Sequence, residues 1–156
     1  MTTSREPDEN DHARVQAVLG PWWGGLKGDA GALERALLVP RLYFQHFTGT
    51  SRLVERDGEL AAFLIGFVSQ TDPATWYIHF VGVDPALRGQ GIGRELYAWF
   101  FEQARRRGAK RVKCVTSPEN TGSQAYHARL GFAASAPVPD YDGPGLARVV
   151  FTRELG

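Results

Sequence analysis

Val83-Asp84-Pro85-Ala86-Leu87-Arg88-Gly89-Gln90-Gly91-Ile92-Gly93 decides how this 156-residue chain is read. The residues before it, 76–83, are aromatic and β-branched and read as a strand that Asp84-Pro85 ends. After it the period changes. Ile92, Leu96, Trp99, Phe100 and Ala104 recur at helical spacing up to Gly108, a C-cap signal. Three alternating glycines therefore stand where a strand hands over to an amphipathic helix. Glycine tolerates positive φ and brings no side chain, so backbone N–H groups can converge on one point. The first helical turn adds N–H groups without helical partners and the positive end of the helix dipole. Arg88 adds a permanent charge at the rim. The stretch predicts a pyrophosphate cradle.

Spacing excludes two other cradles. A P-loop requires Gly-Lys-Ser/Thr at the helix start, where Ile92-Gly93-Arg94 stands. The dinucleotide pattern G-x-G-x-x-G, counted from Gly89, would need a third glycine at position 94, which is arginine. What fits is R-x-x-G-x-G on Arg88, Gly91 and Gly93.

Outward from this point, 51–56, Asp57-Gly58 and 60–69 have the form of a hairpin with an Asp-Gly turn. Further upstream, Asp8 or Asn10 would cap a helix running to about Leu19, where Gly20-Pro21 stops it. Trp22-Trp23-Gly24-Gly25 reads as a loop, 30–39 as a second short helix, and Tyr43, Phe44 and Phe47 as an aromatic cluster at helical spacing. Downstream, 111–116 reads as a strand and 120–130 as a helix stopped by Gly131. Two final strands enclose the loop Pro139-Asp140-Tyr141-Asp142-Gly143-Pro144-Gly145. This order predicts a mixed α/β sheet.

Composition narrows the class. A net charge of +1 gives no global reason to expect nucleic acid or an anionic membrane as partner. Cys114 is the one cysteine, so no internal disulfide forms, which suits a reducing cytoplasm. No apolar run approaches the roughly 20 residues of a membrane helix, and residues 1–11 have no signal-peptide character. A cytoplasmic single domain over 1–156 is expected. The one basic run, Arg105, Arg106, Arg107, Lys110, Arg111 and Lys113, has no interleaved aromatic platform for nucleic acid. It reads as a solvated helix end, part of which could meet the ribose phosphate of a coenzyme.

A second motif joins the first. Asn120-Thr121-Gly122-Ser123-Gln124-Ala125-Tyr126-His127-Ala128-Arg129-Leu130-Gly131-Phe132 opens a helix with asparagine and ends it in Leu-Gly-Phe. With R-x-x-G-x-G one helix and one strand earlier, it resembles the GNAT superfamily of acetyl-CoA-dependent N-acetyltransferases, strongly over 53–132. The resemblance implies a single, mostly antiparallel twisted sheet of about six to seven strands with about four helices. It implies acetyl-CoA as cosubstrate, no metal, and direct attack by an amine in a ternary complex. The acceptor would be a small-molecule or peptide amine, and a homodimer through the tail strands is an option that such proteins use. A non-catalytic acyl-CoA-binding sensor or subunit is the alternative.

Carried over to this chain, the resemblance gives Val81, Gly82 and Val83 the pantetheine arm, paired like an added strand whose edge a splay or bulge opens. A backbone N–H near Val81 would meet the developing oxyanion. Gly89, Gln90, Gly91, Ile92 and Gly93, with Arg88 and Arg94, would hold the pyrophosphate. Asn120, and Ser123 one turn on, would bind the arm near its thiol. The family's proton-donating tyrosine, four residues before the glycine of Leu-Gly-Phe, is here His127. Asn120 and His127 face the same way to within about 20°, whereas Tyr126 points roughly 100° away. His127 is thus the expected donor, with Tyr126 as fallback. Period two puts Tyr77, His79, Val81 and Val83 on one face of their strand, which makes His79 a candidate base. Trp22, Trp23, Phe44 and Tyr77 could wall the acceptor, although the helical aromatics could equally be core. Asp140, Tyr141 and Asp142 would suit an aminium or hydroxyl group.

Overall fold

The computed structural model describes residues 1–156. The strands are β1 (Thr2–Arg5), β2 (Arg52–Arg56), β3 (Glu59–Val68), β4 (Thr75–Val83), β5 (Arg111–Thr116), β6 (Ala133–Ala134) and β7 (Val149–Glu154). The helices are α1 (Asp11–Val18), α2 (Gly28–Leu38), the single turn α3 (Tyr43–His46), α4 (Ile92–Arg106) and α5 (Thr121–Arg129). Seven strands form one sheet in the order β1-β2-β3-β4-β5-β7-β6. Strands β4 and β5 are parallel, while β1–β2, β2–β3, β5–β7 and β6–β7 are antiparallel. The expected mixed, mostly antiparallel sheet is what forms, with four helices of two turns or more. The chain packs as two compact units, Met1–Phe67 with Phe80–Phe100 and Val68–His79 with Phe101–Gly156. The divisions fall inside β3, at its last residue, β4 and α4.

In the first unit, Val15 and Leu19 of α1, with Trp22, Val39 and Phe44, cover Phe63 and Ile65 of β3. Each such large apolar side chain contributes about 1.5–3 kcal/mol on burial. The hairpin turns at Asp57 (φ 52°) and Gly58 (φ 83°), the left-handed pair that a two-residue turn needs. A bulge shifts the register between Val54 and Glu55.

Strand β1 carries no apolar alternation and was not expected. Charge holds it in place. Arg5 makes two bonds to the Asp11 carboxylate, at 2.8 and 2.9 Å, and one to Glu55 at 2.9 Å. Arg14 joins the same two acids. Asp11 is 1% exposed. Burial pushes its carboxyl upward, but Arg5, the Asp8 N–H and Arg14 together hold it below the usual carboxylate range. The expected cap of α1 is corrected here. Asn10 stands at the N-cap without a side-chain bond, and Asp8 accepts from the Asn10 N–H instead.

In the second unit β5 pairs with β7 along all six of its residues. Its pairing with β4 covers only Thr75–Tyr77 against Arg111–Lys113. Cys114 is buried on β5, and desolvation pushes its thiol up to about 12. The basic run is largely absorbed by structure. Arg105 donates to the Leu155 carbonyl, Arg106 pairs with Glu102, Arg107 covers the Trp76 ring, and Arg111 pairs with Asp72. No helix is long and apolar enough to cross a membrane.

Candidate functional site

The first unit carries the glycine loop. Strand β4 ends at Val83, and the Asp84 N–H donates to the Ala61 carbonyl at 2.9 Å, which ties the loop's root to β3. The Asp84 carboxylate caps the short 3-10 turn Pro85–Leu87 by accepting from the Ala86 N–H at 2.9 Å. Gly89 (φ 80°) and Gly91 (φ 83°) are left-handed, and a Cβ built on either meets nothing within 4 Å. These glycines are therefore not there to make room for packing. Their conformation requires glycine, and the space before them is open. Helix α4 starts at the next residue, its first bond running from the Glu95 N–H to the Gly91 carbonyl. The N–H groups of Ile92, Gly93 and Arg94 thus lie in the first turn, where no helical acceptor exists for them.

Three neighbours shape this loop. Gln90 turns its side-chain oxygen to Arg56 at 2.9 Å. Arg88 reaches the Trp22 carbonyl at 3.2 Å. On β4, Gly82 lies beneath aromatic rings: a Cβ there would stand 2.6 Å from Phe63 and 3.0 Å from Trp23. Phe80, two residues earlier, stacks on Phe63 (6.0 Å) and meets Trp23 (5.5 Å). Phe80 and Gly82 thus share the face covered by these rings, which leaves Val81 and Val83 to the other face by alternation.

Two members of the expected acceptor wall are corrected by their burial. Phe44 is 1% and Trp22 8% exposed, and both lie in the core of the first unit. Trp23 is half-buried beside them. Reading the sequence missed Arg35, whose guanidinium sits over the Trp23 ring at 5.6 Å and donates to the Leu19 and Leu26 carbonyls. Its place on the buried stripe of α2, between Gly31 and Val39, was the available signal.

In the second unit, Asn120 caps α5 by accepting from the Ser123 N–H at 3.0 Å. That commits its oxygen and leaves its amide N–H₂ as the donor for any other partner. His127 is 8% exposed. Its ring stacks on Phe151 at 4.6 Å and meets Phe132 edge-on at 5.3 Å. Nδ1 lies 2.8 Å from the Ser123 carbonyl, which can only accept, so Nδ1 carries the proton. The Ser123 hydroxyl lies 3.2 Å from the same nitrogen. Burial holds the ring's pKa below the ordinary histidine value, against the opposing pull of the Ser123 carbonyl. Tyr126, half-buried, has Arg129 over its ring at 5.8 Å. Tyr77 and His79 are half-buried on β4.

The tail loop spends its acids on itself. Asp140, left-handed at φ 53°, accepts from the Gly145 N–H at 2.7 Å, and Asp142 pairs with Arg148 at 2.8 Å. Of the three residues expected to meet an acceptor there, Tyr141 is the one whose polar group no bond within the loop engages.

The model of the acetyltransferase (GNAT) family matches residues 26–132. The chain is 31% identical over 83 residues to an L-2,4-diaminobutyric acid acetyltransferase from Virgibacillus pantothenticus, 53% of this chain and 52% of that one. The match thus spans about half of that relative's length. A blasticidin-S acetyltransferase from Streptomyces morookaense is 30% identical over 102 residues, 63% of this chain and 68% of that one. The solved structure of a diaminobutyrate acetyltransferase from Paenibacillus lautus, in complex with L-2,4-diaminobutyric acid and coenzyme A, shares the fold. Its TM-score is 0.74 at 19% identity, over 100% of this chain and 96% of that one.

Proposed function

The chain belongs to the acetyltransferase (GNAT) family, and from that premise we propose that it is an acetyl-CoA-dependent N-acetyltransferase acting on a small-molecule or peptide amine. The observation that carries the reading is the pair of left-handed glycines, Gly89 and Gly91, facing open space at the start of α4. Their N–H groups, with those of Ile92, Gly93 and Arg94, would form an anion site at the start of the helix. A pyrophosphate suits such a site by its charge and by its acceptor oxygens. The cosubstrate supplies an activated acetyl thioester, open to direct attack by a neutral amine in a ternary complex.

The chain's own groups do the rest. The backbone of Val81 and Val83 offers the edge on which the pantetheine arm lies; the short β4–β5 register supports an edge left open beyond Tyr77. The Asn120 amide N–H₂ binds the arm toward its thiol, and His79 takes the amine's proton. His127 is assigned a packing role. The neutral ring has its one proton on Nδ1, bonded to the Ser123 carbonyl, and burial disfavours the charged form that would carry a second on Nε2. Tyr126 then supplies the proton to the departing thiolate. Tyr126→Phe should slow turnover without weakening coenzyme binding, and equal turnover would assign that proton to water. We place the whole chain in one domain, because the division between its units cuts β4 and α4 rather than a linker. The exposed edge strand β6 is the surface through which it would pair as a homodimer.

The test is a thermal-shift titration with acetyl-CoA and coenzyme A, next to NAD and ATP. A concentration-dependent rise with the two coenzyme A species alone supports the cradle. No rise with either removes it. Thiol release across a panel of amines then separates an enzyme from a coenzyme-binding sensor, the reading that the packed His127 keeps in play.

A further inference from the structure

The turn that carries Trp22 and Trp23 is clamped by two arginines, and one of them belongs to the glycine loop. Within the turn, the Gly20 carbonyl accepts from Trp23 and Gly25, the Pro21 carbonyl from Gly24, and the Trp23 carbonyl from Leu26. The Trp22 carbonyl takes part in none of these bonds. It accepts from Arg88, 66 positions away in sequence, at 3.2 Å. Beyond the turn the backbone is left-handed at Gly24, Gly25, Lys27 and Gly28, with φ from 58° to 70°. Lys27 has a Cβ and is strained there by about 1–2 kcal/mol. Such a run holds its shape only as firmly as its clamps do. Arg35 is one clamp, on the Leu19 and Leu26 carbonyls. Arg88 is the other.

The turn also covers the strand on which the thioester would lie. Trp23 meets Phe80 at 5.5 Å and stands 3.0 Å from where a Gly82 Cβ would be. We propose that Arg88 is a positioning residue that couples the Trp22–Trp23 turn to the occupied pyrophosphate cradle, and so sets the aromatic surface over Phe80 and Gly82 that an acceptor meets. A guanidinium has five N–H donors in a rigid plane. One serves the Trp22 carbonyl, and the others are available to a phosphate oxygen. A phosphate that fixes the guanidinium thereby fixes the carbonyl, the turn and the Trp23 ring. The inference rests on the cradle reading.

Hydrogen exchange of the amides at 20–28 and 89–93 tests it, in the wild type, Arg88→Ala and Arg88→Lys, with and without saturating coenzyme A. In the wild type, coenzyme A should slow exchange in both segments. In Arg88→Ala it should slow 89–93 alone. Arg88→Lys keeps a charge for the phosphate but loses the planar fork, so it should bind coenzyme A and still leave 20–28 unprotected. Without coenzyme, Arg88→Ala should already exchange about three- to tenfold faster at 20–28, the size of one lost hydrogen bond. Protection of 20–28 by coenzyme A in the alanine variant, or unchanged exchange there without coenzyme, overturns the coupling. Absence of protection at 89–93 in the wild type overturns the cradle itself, and the coupling with it.

Discussion

The glycine loop and α5 carry the two sequence motifs, and they use their residues in opposite ways. In the loop the backbone faces open space: Gly89 and Gly91 have nothing within 4 Å of a Cβ, and the N–H groups of the following turn lack helical acceptors. On α5 the side chains are engaged by the fold. The Asn120 oxygen caps the helix, and the His127 ring stacks on Phe151 and meets Phe132 edge-on, with Nδ1 on Ser123. A motif built on backbone conformation is legible in the residue type, because a left-handed φ near 80° selects glycine, as it does at Gly58 and Gly108 too. A motif built on side chains is not, since the same histidine serves chemistry or packing according to what surrounds it.

The sharpest way to break this contrast is Gly91→Glu. It combines backbone strain of about 1–2 kcal/mol with a carboxylate in the anion site. Calorimetry should find acetyl-CoA binding weakened by more than about a hundredfold, while the protein stays folded. Unchanged affinity would return the glycines to a structural role.

His127 gives the next largest effect, on the other side of the contrast. His127→Ala leaves a cavity among Phe132 and Phe151 and should cost about 2–4 kcal/mol in denaturant unfolding. His127→Phe keeps the stack and should retain turnover to within about tenfold. A loss of about 10²–10⁴ in the phenylalanine variant, with acetyl-CoA affinity intact, would make His127 a general acid after all.

Asn120 separates capping from binding. Asn120→Ala should lose about 1 kcal/mol with the cap. Asn120→Asp keeps an acceptor for the Ser123 N–H but loses the amide donors, so stability should hold while acetyl-CoA binding weakens. Wild-type affinity in the aspartate variant would leave the residue a cap and nothing more.

The smallest effect is in pH. The folded protein holds His127 below its unfolded pKa of about 6.5. The unfolded chain therefore binds the proton first. This contribution to stability is complete above about pH 6.5 and is lost as pH falls through the lower folded value. Melting temperature should decline from pH 7 toward 5 in the wild type, and less so in His127→Phe. Asp11 and Glu55, also depressed, act lower, in the acid range below their unfolded values near 4. An equal slope in both proteins would mean that the ring is not desolvated.

What could be read beforehand follows the same division. The Asp57-Gly58 hairpin, the strand before the loop, α4 and its cap at Gly108 are legible, because periodicity and left-handed glycines are local signals, whereas the capping bond of Asn120 is not. Neither is strand β1, for it is held by Arg5 on Asp11 and Glu55, partners 6 and 50 positions away. Whether Phe44 and Trp22 face an acceptor or the core depends on what covers them, as does the availability of the Asp140 and Asp142 carboxylates. An aromatic residue at helical spacing looks the same in either case.

Cys114 has a consequence for the bench. It is the chain's single thiol, and it is buried and poorly ionised. Thiolate is the reactive form. A disulfide chromogen added during turnover would therefore react with liberated coenzyme and leave the protein unlabelled, which allows acceptors to be screened continuously with almost no blank.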